Sequence, residues 1–316
     1  MAERTATLFG GGGFIGRHLV QRLARAGWRI KIAQRNPAAA EFLRPLGDVG
    51  QITPLRARLQ DRDSIVRAIA GADAAVNLVG ILYERGAQSF AAVHGEGPRT
   101  IAEAAAEAGV ERLVQVSALA ADPQAEAAYA RSKAAGEAAV RVAFPKATIV
   151  RPSIVIGPED GFFNRFASMA QLSPVLPLIG GGLTRFQPVY VGDIAAAIGT
   201  ALEDPSCQGR TYELGGPRTY TFKALMELML REIGRKRLLL PLPWTLAALQ
   251  AACLEWLPVP PLTRDQVKLL KRDSVCSPGA EGFAELGLAP SAIEMILPTY
   301  LDRYRRGGRF GNAPGR

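Results

Sequence analysis

The chain has 316 residues, 48% hydrophobic and 21% charged, with 38 Lys and Arg against 29 Asp and Glu for a formal net charge of +9. That length and apolar content support a large core and exclude a small disulfide-stapled scaffold; three scattered cysteines (Cys207, Cys253, Cys276) fit a reducing compartment, and two isolated histidines (His18, His94) leave almost no material for a metal site. The positive charge suits an anionic partner, which would be a phosphate-bearing cofactor, an acidic protein or an anionic membrane face; nucleic acid is not expected, because the arginines are not interleaved with aromatics.

Strand-like sequence begins by Thr5, so no signal peptide is expected. Residues 6–10 (ATLFG) read as a short apolar strand, and 14–27 as a helix with Ile15, Leu19, Val20 and Leu23 on one face and Gly27 as its stop. A strand follows at 28–35, a helix at 63–72, an apolar strand at 73–80, an alanine-rich helix at 97–110 and a strand at 111–118. Residues 128–143 read as a helix and 146–157 as one strand. Beyond Gly157 the pattern loosens: loop plus helix over 158–182, then a strand and a helix over 186–202 that Asp193 is expected to cap. A strand at 209–217 and a helix at 221–234 precede Pro-interrupted helical sequence. The apolar run Leu238–Leu254 carries Pro241 and Pro243 and falls short of the roughly 20 residues a spanning helix needs, so no transmembrane helix is expected.

Strand–helix alternation with apolar strands predicts a parallel sheet covered on both faces. Gly10, Gly13 and Gly16 stand at the first strand-to-helix joint, where glycines permit a tight turn, close approach to a diphosphate and close helix packing. The fold class is therefore α/β: a Rossmann-type doubly wound sheet over residues 1–157 whose later elements return around 186–215. A smaller, mostly helical lobe follows over 158–302, then a basic, disordered tail over 303–316. The end of the second strand discriminates between dinucleotides. An acidic residue there would bind the ribose 2′-hydroxyl of NAD; this chain instead offers Arg35, with Arg17 nearby, which suits the 2′-phosphate of NADPH and makes NADP preferred over NAD.

GGGGFIG (10–16), NLVG (77–80), YARSK (129–133), RPSIVIGP (151–158), PVYVGDIA (188–195) and YELGGP (212–217) together resemble the extended short-chain dehydrogenase/reductase superfamily, with its epimerase/dehydratase-like members. More narrowly, the glycine loop, YARSKAAGE, GPEDGFFNRFA and FQPVYVGDIAAAI look like the nucleotide-binding accessory subunits of respiratory complex I and their bacterial relatives. The resemblance implies cofactor contacts at Gly10, Gly12, Gly13, Phe14, Ile15, Gly16, Arg17, Arg35, Asp61, Asn77, Val79, Gly80, Ser117, Tyr129, Lys133, Pro152 and Ile154. It further implies a structurally held NADPH and complex I subunits as partners. The expected place is peripheral, on the inner (cytoplasmic) face of a bacterial inner membrane, or the matrix side if mitochondrial.

Tyr129 and Lys133 lie four apart on one helix face. In dehydrogenases of the superfamily the tyrosine is the acid/base and the lysine lowers its pKa. Ser117 stands where a substrate-orienting hydroxyl belongs, but only a short alanine-rich stretch without Ser or Thr separates it from Tyr129. Two readings stay open: a cofactor-holding subunit in which Tyr129, Lys133 and Ser117 are vestigial, and an active NAD(P)-dependent oxidoreductase or epimerase/dehydratase with a small-molecule substrate. Asn164 and Arg185 are candidates to meet an anionic group, Asp61 to read the adenine. Leu246, Leu249, Cys253 and Leu257 share a helical face with Trp244 and Trp256 near its ends, close to Arg264, Lys268, Lys271 and Arg272. That face is either buried or set against partners or an anionic membrane surface.

Overall fold

The computed structural model describes residues 4–308. Two compact units divide it. The first runs to Pro152 and includes Val191–Leu214 and Gly279–Ala289. Its sheet contains β1 (Thr5–Phe9), β2 (Arg29–Gln34), β3 (Ile52–Arg56), β4 (Ala74–Asn77), β5 (Arg112–Val116), β6 (Thr148–Pro152) and a seventh strand, Thr211–Leu214. All pair in parallel, in the order seventh-β6-β5-β4-β1-β2-β3. The order reverses at β1, which pairs with β2 through Ala6↔Ile30 and with β4 through Ala6↔Ala74. Crevices at the carboxyl ends of strands beside such a reversal are where doubly wound sheets bind ligands.

The inner strands are apolar because helices cover both sheet faces. Ala6, Leu8 and Phe9 are buried, and even Thr7 is enclosed, its hydroxyl donating to Ala68 O at 2.9 Å. Helix α1 (Phe14–Arg25) buries Leu19, Val20 and Leu23, as its spacing predicts, and packs against the helix Val191–Glu203. Helices α2 (Arg62–Ile69), α3 (Gly97–Glu107) and α4 (Ala128–Ala143) complete the layers used below.

Several boundaries differ from the sequence reading. β3 went unrecognised: it pairs only with β2, so its residues are mixed in burial, and Pro54 is tolerated at an edge. The strand expected over 146–157 is two strands. β6 ends at Pro152, and Val155–Ile156 pairs instead with Val189–Tyr190. The second unit accordingly begins at Ser153, not at 158, and it keeps Phe186–Tyr190. Gly279–Ala289 returns to the first unit, where Glu213 N–H donates to Glu281 O at 2.8 Å and Arg210 pairs with Glu281 at 2.8 Å. Asp193 is no cap: its helix begins at Val191, which leaves the carboxylate in the first turn, where the helix dipole favours it.

The second unit carries short strand pairs as well as helices. Val175–Ile179 pairs in parallel with Leu238–Leu242, and Arg185–Phe186 antiparallel with Tyr220–Thr221. Its core gathers Phe163, Leu176, Phe222, Met226, Met229, Tyr300 and Leu301. Buried Asp160 organises one end, accepting from Tyr300 OH at 2.5 Å and from Phe162 and Asn164 N–H at 3.0 and 3.2 Å. The expected disordered tail is ordered at its start. Arg303 and Tyr304 OH both donate to Asn164 Oδ1, and Arg305 Nε donates to Glu232 O. Residues 309–316 lie outside the described residues.

In the helix Trp244–Leu254 the buried face is Ala247 and Ala251. Leu246 and Leu249 are 52% and 65% exposed, Cys253 is exposed, and Trp256 beyond it is 87% exposed. Trp244, by contrast, packs against Gly180, where its ring fills the space a Cβ would take. No helix of the described residues is long and apolar enough to cross a membrane.

Candidate functional site

The turn between β1 and α1 is built from close backbone contacts. Gly10 has φ 79°, and a Cβ there would stand 3.2 Å from Val79 Cγ2. Gly13 N–H donates to Gly10 O at 2.9 Å and then caps α1 with extended backbone and no side-chain hydrogen bond. The first-turn N–H groups of Phe14, Ile15 and Gly16 therefore face the loop without a capping side chain. This is the donor set an anionic diphosphate takes. Gly16 lets α1 approach: its Cβ would sit 2.6 Å from Gly11 Cα. A Cβ on Gly12 would meet the Gln34 amide. The residues present fit the diphosphate of a dinucleotide.

At the end of β2 the exposed Arg35 side chain reaches the loop that follows β4. With the Gln88 amide turned so that its oxygen faces the guanidinium, Arg35 Nη2 donates to it at 3.1 Å. Arg17 leans toward the segment after β2, its guanidinium 5.3 Å from the Phe42 ring centroid. Asp61 serves the backbone: it caps α2, accepting from Ser64 N–H at 3.1 Å.

Asn77 is fully buried and spends its amide on the protein. Oδ1 accepts from Val79 N–H at 3.1 Å, and Nδ2 donates to Gln115 Oε1 at 2.9 Å. Both bonds hold the loop carrying Val79 and Gly80 in place. Gln115 Nε2 continues the chain to Val116 O at 2.9 Å, and Lys133 Nζ approaches that same carbonyl at 3.5 Å. A polar path thus runs through the sheet from the glycine loop to the lysine.

Tyr129 and Lys133 come together on α4, the ammonium 5.9 Å from the tyrosine ring centroid. Burial lowers Lys133 to about 8 against the nearby Glu137 charge, which acts the other way. Burial pushes the Tyr129 phenol up to about 12, opposite to the lowering expected of an acid/base pair. The Ser117 hydroxyl is buried and has no hydrogen-bond partner among the described residues, and its N–H donates to Val150 O at 2.7 Å. Pro152 closes β6, its carbonyl accepting from Leu119 N–H at 3.1 Å; Ile154 lies in the second unit. Asn164 and Arg185 are occupied within the second unit: Asn164 holds the Pro158 and Asp160 carbonyls, and Arg185 pairs with Asp273 at 2.7 Å.

Sequence reasoning passed over two groups at the site, Gln115 and His94. His94 is buried beside Tyr129, with ring centroids 5.3 Å apart, and stacks on Phe90 at 5.4 Å. The glycine spacings pointed to neither.

Residues 6–215 match the NAD dependent epimerase/dehydratase family. The chain is 39% identical over 320 residues to the NADH dehydrogenase [ubiquinone] 1 alpha subcomplex subunit 9 of Arabidopsis thaliana, covering 97% of this chain and 80% of that one. It is 34% identical over 318 residues to the NADH-ubiquinone oxidoreductase 40 kDa subunit of Neurospora crassa, covering 99% and 83%. It is also 34% identical over 244 residues to the ceramide reductase of Caulobacter vibrioides, covering 77% and 74%. Among solved structures, the dTDP-glucose 4,6-dehydratase DesIV from Streptomyces venezuelae, with NAD and TYD bound, superposes with a TM-score of 0.75 at 20% identity over 96% of this chain and 98% of that one. That likeness confirms the Rossmann-type architecture. With the glycine turn, the sheet reversal beside it and the Tyr129–Lys133 helix on one body, the chain belongs to the NAD dependent epimerase/dehydratase family.

Proposed function

We propose that this chain is an accessory subunit of a respiratory complex I that holds a dinucleotide structurally and does not turn it over. The observation that carries the reading is the anion cradle at Gly10–Gly16 in a chain that is 34–39% identical, over nearly its whole length, to relatives named as such subunits. The relatives named as subunits of NADH:ubiquinone oxidoreductases supply the complex. The bound form is NADPH: Arg35, with Arg17 beside the same segment, offers forked donors to a 2′-phosphate. Phe14, Ile15 and Gly16 hold the diphosphate through backbone N–H groups, Val79 and Gly80 wall the loop, and Lys133 with Tyr129 hydrogen-bonds the nicotinamide ribose. Pro152 bounds the nicotinamide end. When bound, the dinucleotide would supply hydride chemistry that this site leaves unused.

The second unit meets an anionic membrane surface at the inner face of the membrane that houses the complex. Exposed Leu246, Leu249 and Trp256 supply the apolar part, and Lys268, Lys271 and Arg272 the charge, each basic group contributing about 1 kcal/mol near the surface. Affinity capture from mild-detergent membranes, with mass spectrometry of the partners and assay of bound nucleotide on the same sample, tests the whole reading. Co-purifying complex I subunits and about one NADPH per chain are expected; a nucleotide-free chain without those subunits refutes it. Failure to float with anionic liposomes at low salt removes the membrane contact alone.

A second reading, an active NADP-dependent reductase, draws on the buried, unpartnered Ser117 hydroxyl and on the relative named as a ceramide reductase. Steady NADPH consumption that Tyr129→Phe abolishes would establish it over the first.

A further inference from the structure

His94 sits in a π-helical turn, Ala91–Glu96, that runs directly into α3. Such turns widen a helix and are frequent at functional sites. The widening is matched on the facing helix: at Gly136 on α4 a Cβ would fall onto the His94 carbonyl oxygen, so only glycine lets the two backbones meet. The ring thereby enters a closed space between Phe90 and Tyr129 and is 2% exposed.

Both ring nitrogens are used. Nε2 accepts the Ile81 N–H at 3.0 Å, which fixes the neutral tautomer with its proton on Nδ1. Nδ1 then donates to Ser132 Oγ at 2.9 Å, and Ser132 Oγ donates to Tyr129 O at 2.7 Å. One imidazole thus ties the loop after β4 to the first turn of α4. That loop reaches from Val79, against Gly10, to Gly80, where a Cβ would stand 3.3 Å from Lys133 Nζ. The ring's neutrality is enforced by burial and by the Lys133 charge, which push it down to about 3.

We infer that His94 is a positioning residue for the nicotinamide half of the dinucleotide, clamping the Val79–Ile81 loop to the Tyr129–Lys133 helix. The inference rests on the dinucleotide reading above and deepens it. The adenosine half is held at the other end of the glycine loop, by Arg35, outside the Val79–Ile81 segment that the clamp fixes.

Calorimetric titration separates the two halves. The ligands are whichever of NADPH and NADH the wild-type chain binds, and the corresponding adenosine half, 2′,5′-ADP or ADP. His94→Phe keeps the stacking on Phe90 but strands the Ile81 N–H; it should weaken the dinucleotide about tenfold or more and leave the adenosine half unchanged. His94→Gln, whose amide oxygen reaches the Nε2 position, should restore affinity to within about threefold of wild type. If His94→Phe does not fold, Ser132→Ala removes the outer partner of the ring at a half-buried position and should weaken the dinucleotide selectively in the same direction. Equal weakening of both ligands, or of neither, overturns the inference. A wild-type chain that binds neither dinucleotide refutes the cofactor reading itself, a distinct result.

Discussion

Gly16→Ala is the sharpest test of the diphosphate turn. The added Cβ would stand 2.5 Å from Gly11 C and 2.6 Å from Gly11 Cα, and both are backbone atoms of the turn itself. No side-chain rotation relieves such a contact, so the overpacking cost sits near the top of its usual range, about 3 kcal/mol. Helix propensity returns about 1 kcal/mol, since alanine replaces glycine inside α1. A net loss of about 2 kcal/mol lowers the melting temperature of a unit of this size by about 4–8 °C. The same displacement moves the first-turn N–H groups away from the anion site, so the thermal shift expected of the wild-type protein with saturating NADPH should be lost. Gly12→Ala is the control. Its Cβ meets only the movable amide of Gln34, and it should melt within about 2 °C of wild type. The assay is thermal denaturation with and without NADPH. A Gly16→Ala protein that melts at the wild-type temperature and keeps the full ligand shift would refute the close-packed turn.

Arg35→Asp should weaken NADPH by about 10–100-fold, the loss of charge-assisted hydrogen bonds, and reverse the preference toward NADH in parallel titrations; unchanged selectivity would remove Arg35 from the 2′-phosphate site. Arg151→Met takes Nε at 2.9 Å and Nη2 at 2.7 Å from Glu137, which is 2% exposed, and leaves it only the more exposed Arg141 at 3.3 Å; denaturant titration should show a loss of about 3 kcal/mol, the low end for a broken buried pair. His94 is neutral in the folded chain down to about pH 3 and protonates near 6.5 once unfolded, so unfolding takes up a proton as pH falls through 6.5. Its stabilisation is complete above 6.5 and is lost progressively toward pH 3. His94→Gln should flatten the stability curve between pH 6.5 and 5 by up to about 1.4 kcal/mol per pH unit, and an unchanged slope would show that the ring is not buried neutral.

The elements around the glycine turn were legible because their signal is local: the α1 stripe of Leu19, Val20 and Leu23, the glycine spacing and the apolar strands each lie within a dozen residues. Tyr129 and Lys133 were legible for the same reason, four apart on one helix. β3 was not, because an edge strand buried on one side has no continuous apolar run. The Asp61 cap is written in the sequence, with Ser64 three residues on. The internal partners of Asn77, Val79 N–H and Gln115, become visible only when β4 and β5 lie side by side with Asn77 opposite Gln115. His94 depends on the loop after β4 and on α4, neither of which its neighbours in sequence predict.

The polar path from Asn77 through Gln115 to the carbonyl that Lys133 approaches is costly to bury, and apolar residues of similar shape would pack the same space with little loss of stability. What apolar residues would not do is fix direction. Asn77 orients the Val79 N–H at the back of the glycine turn, and the far end of the path fixes the carbonyl facing the ammonium, so one rigid layer of the sheet sets both ends of the crevice. His94 adds a second tie outside the sheet, from Ile81 to Ser132. Two independent tethers on one short loop are more than an incidental surface turn requires. They are what a site needs if a loop is to be held in one place against a long ligand.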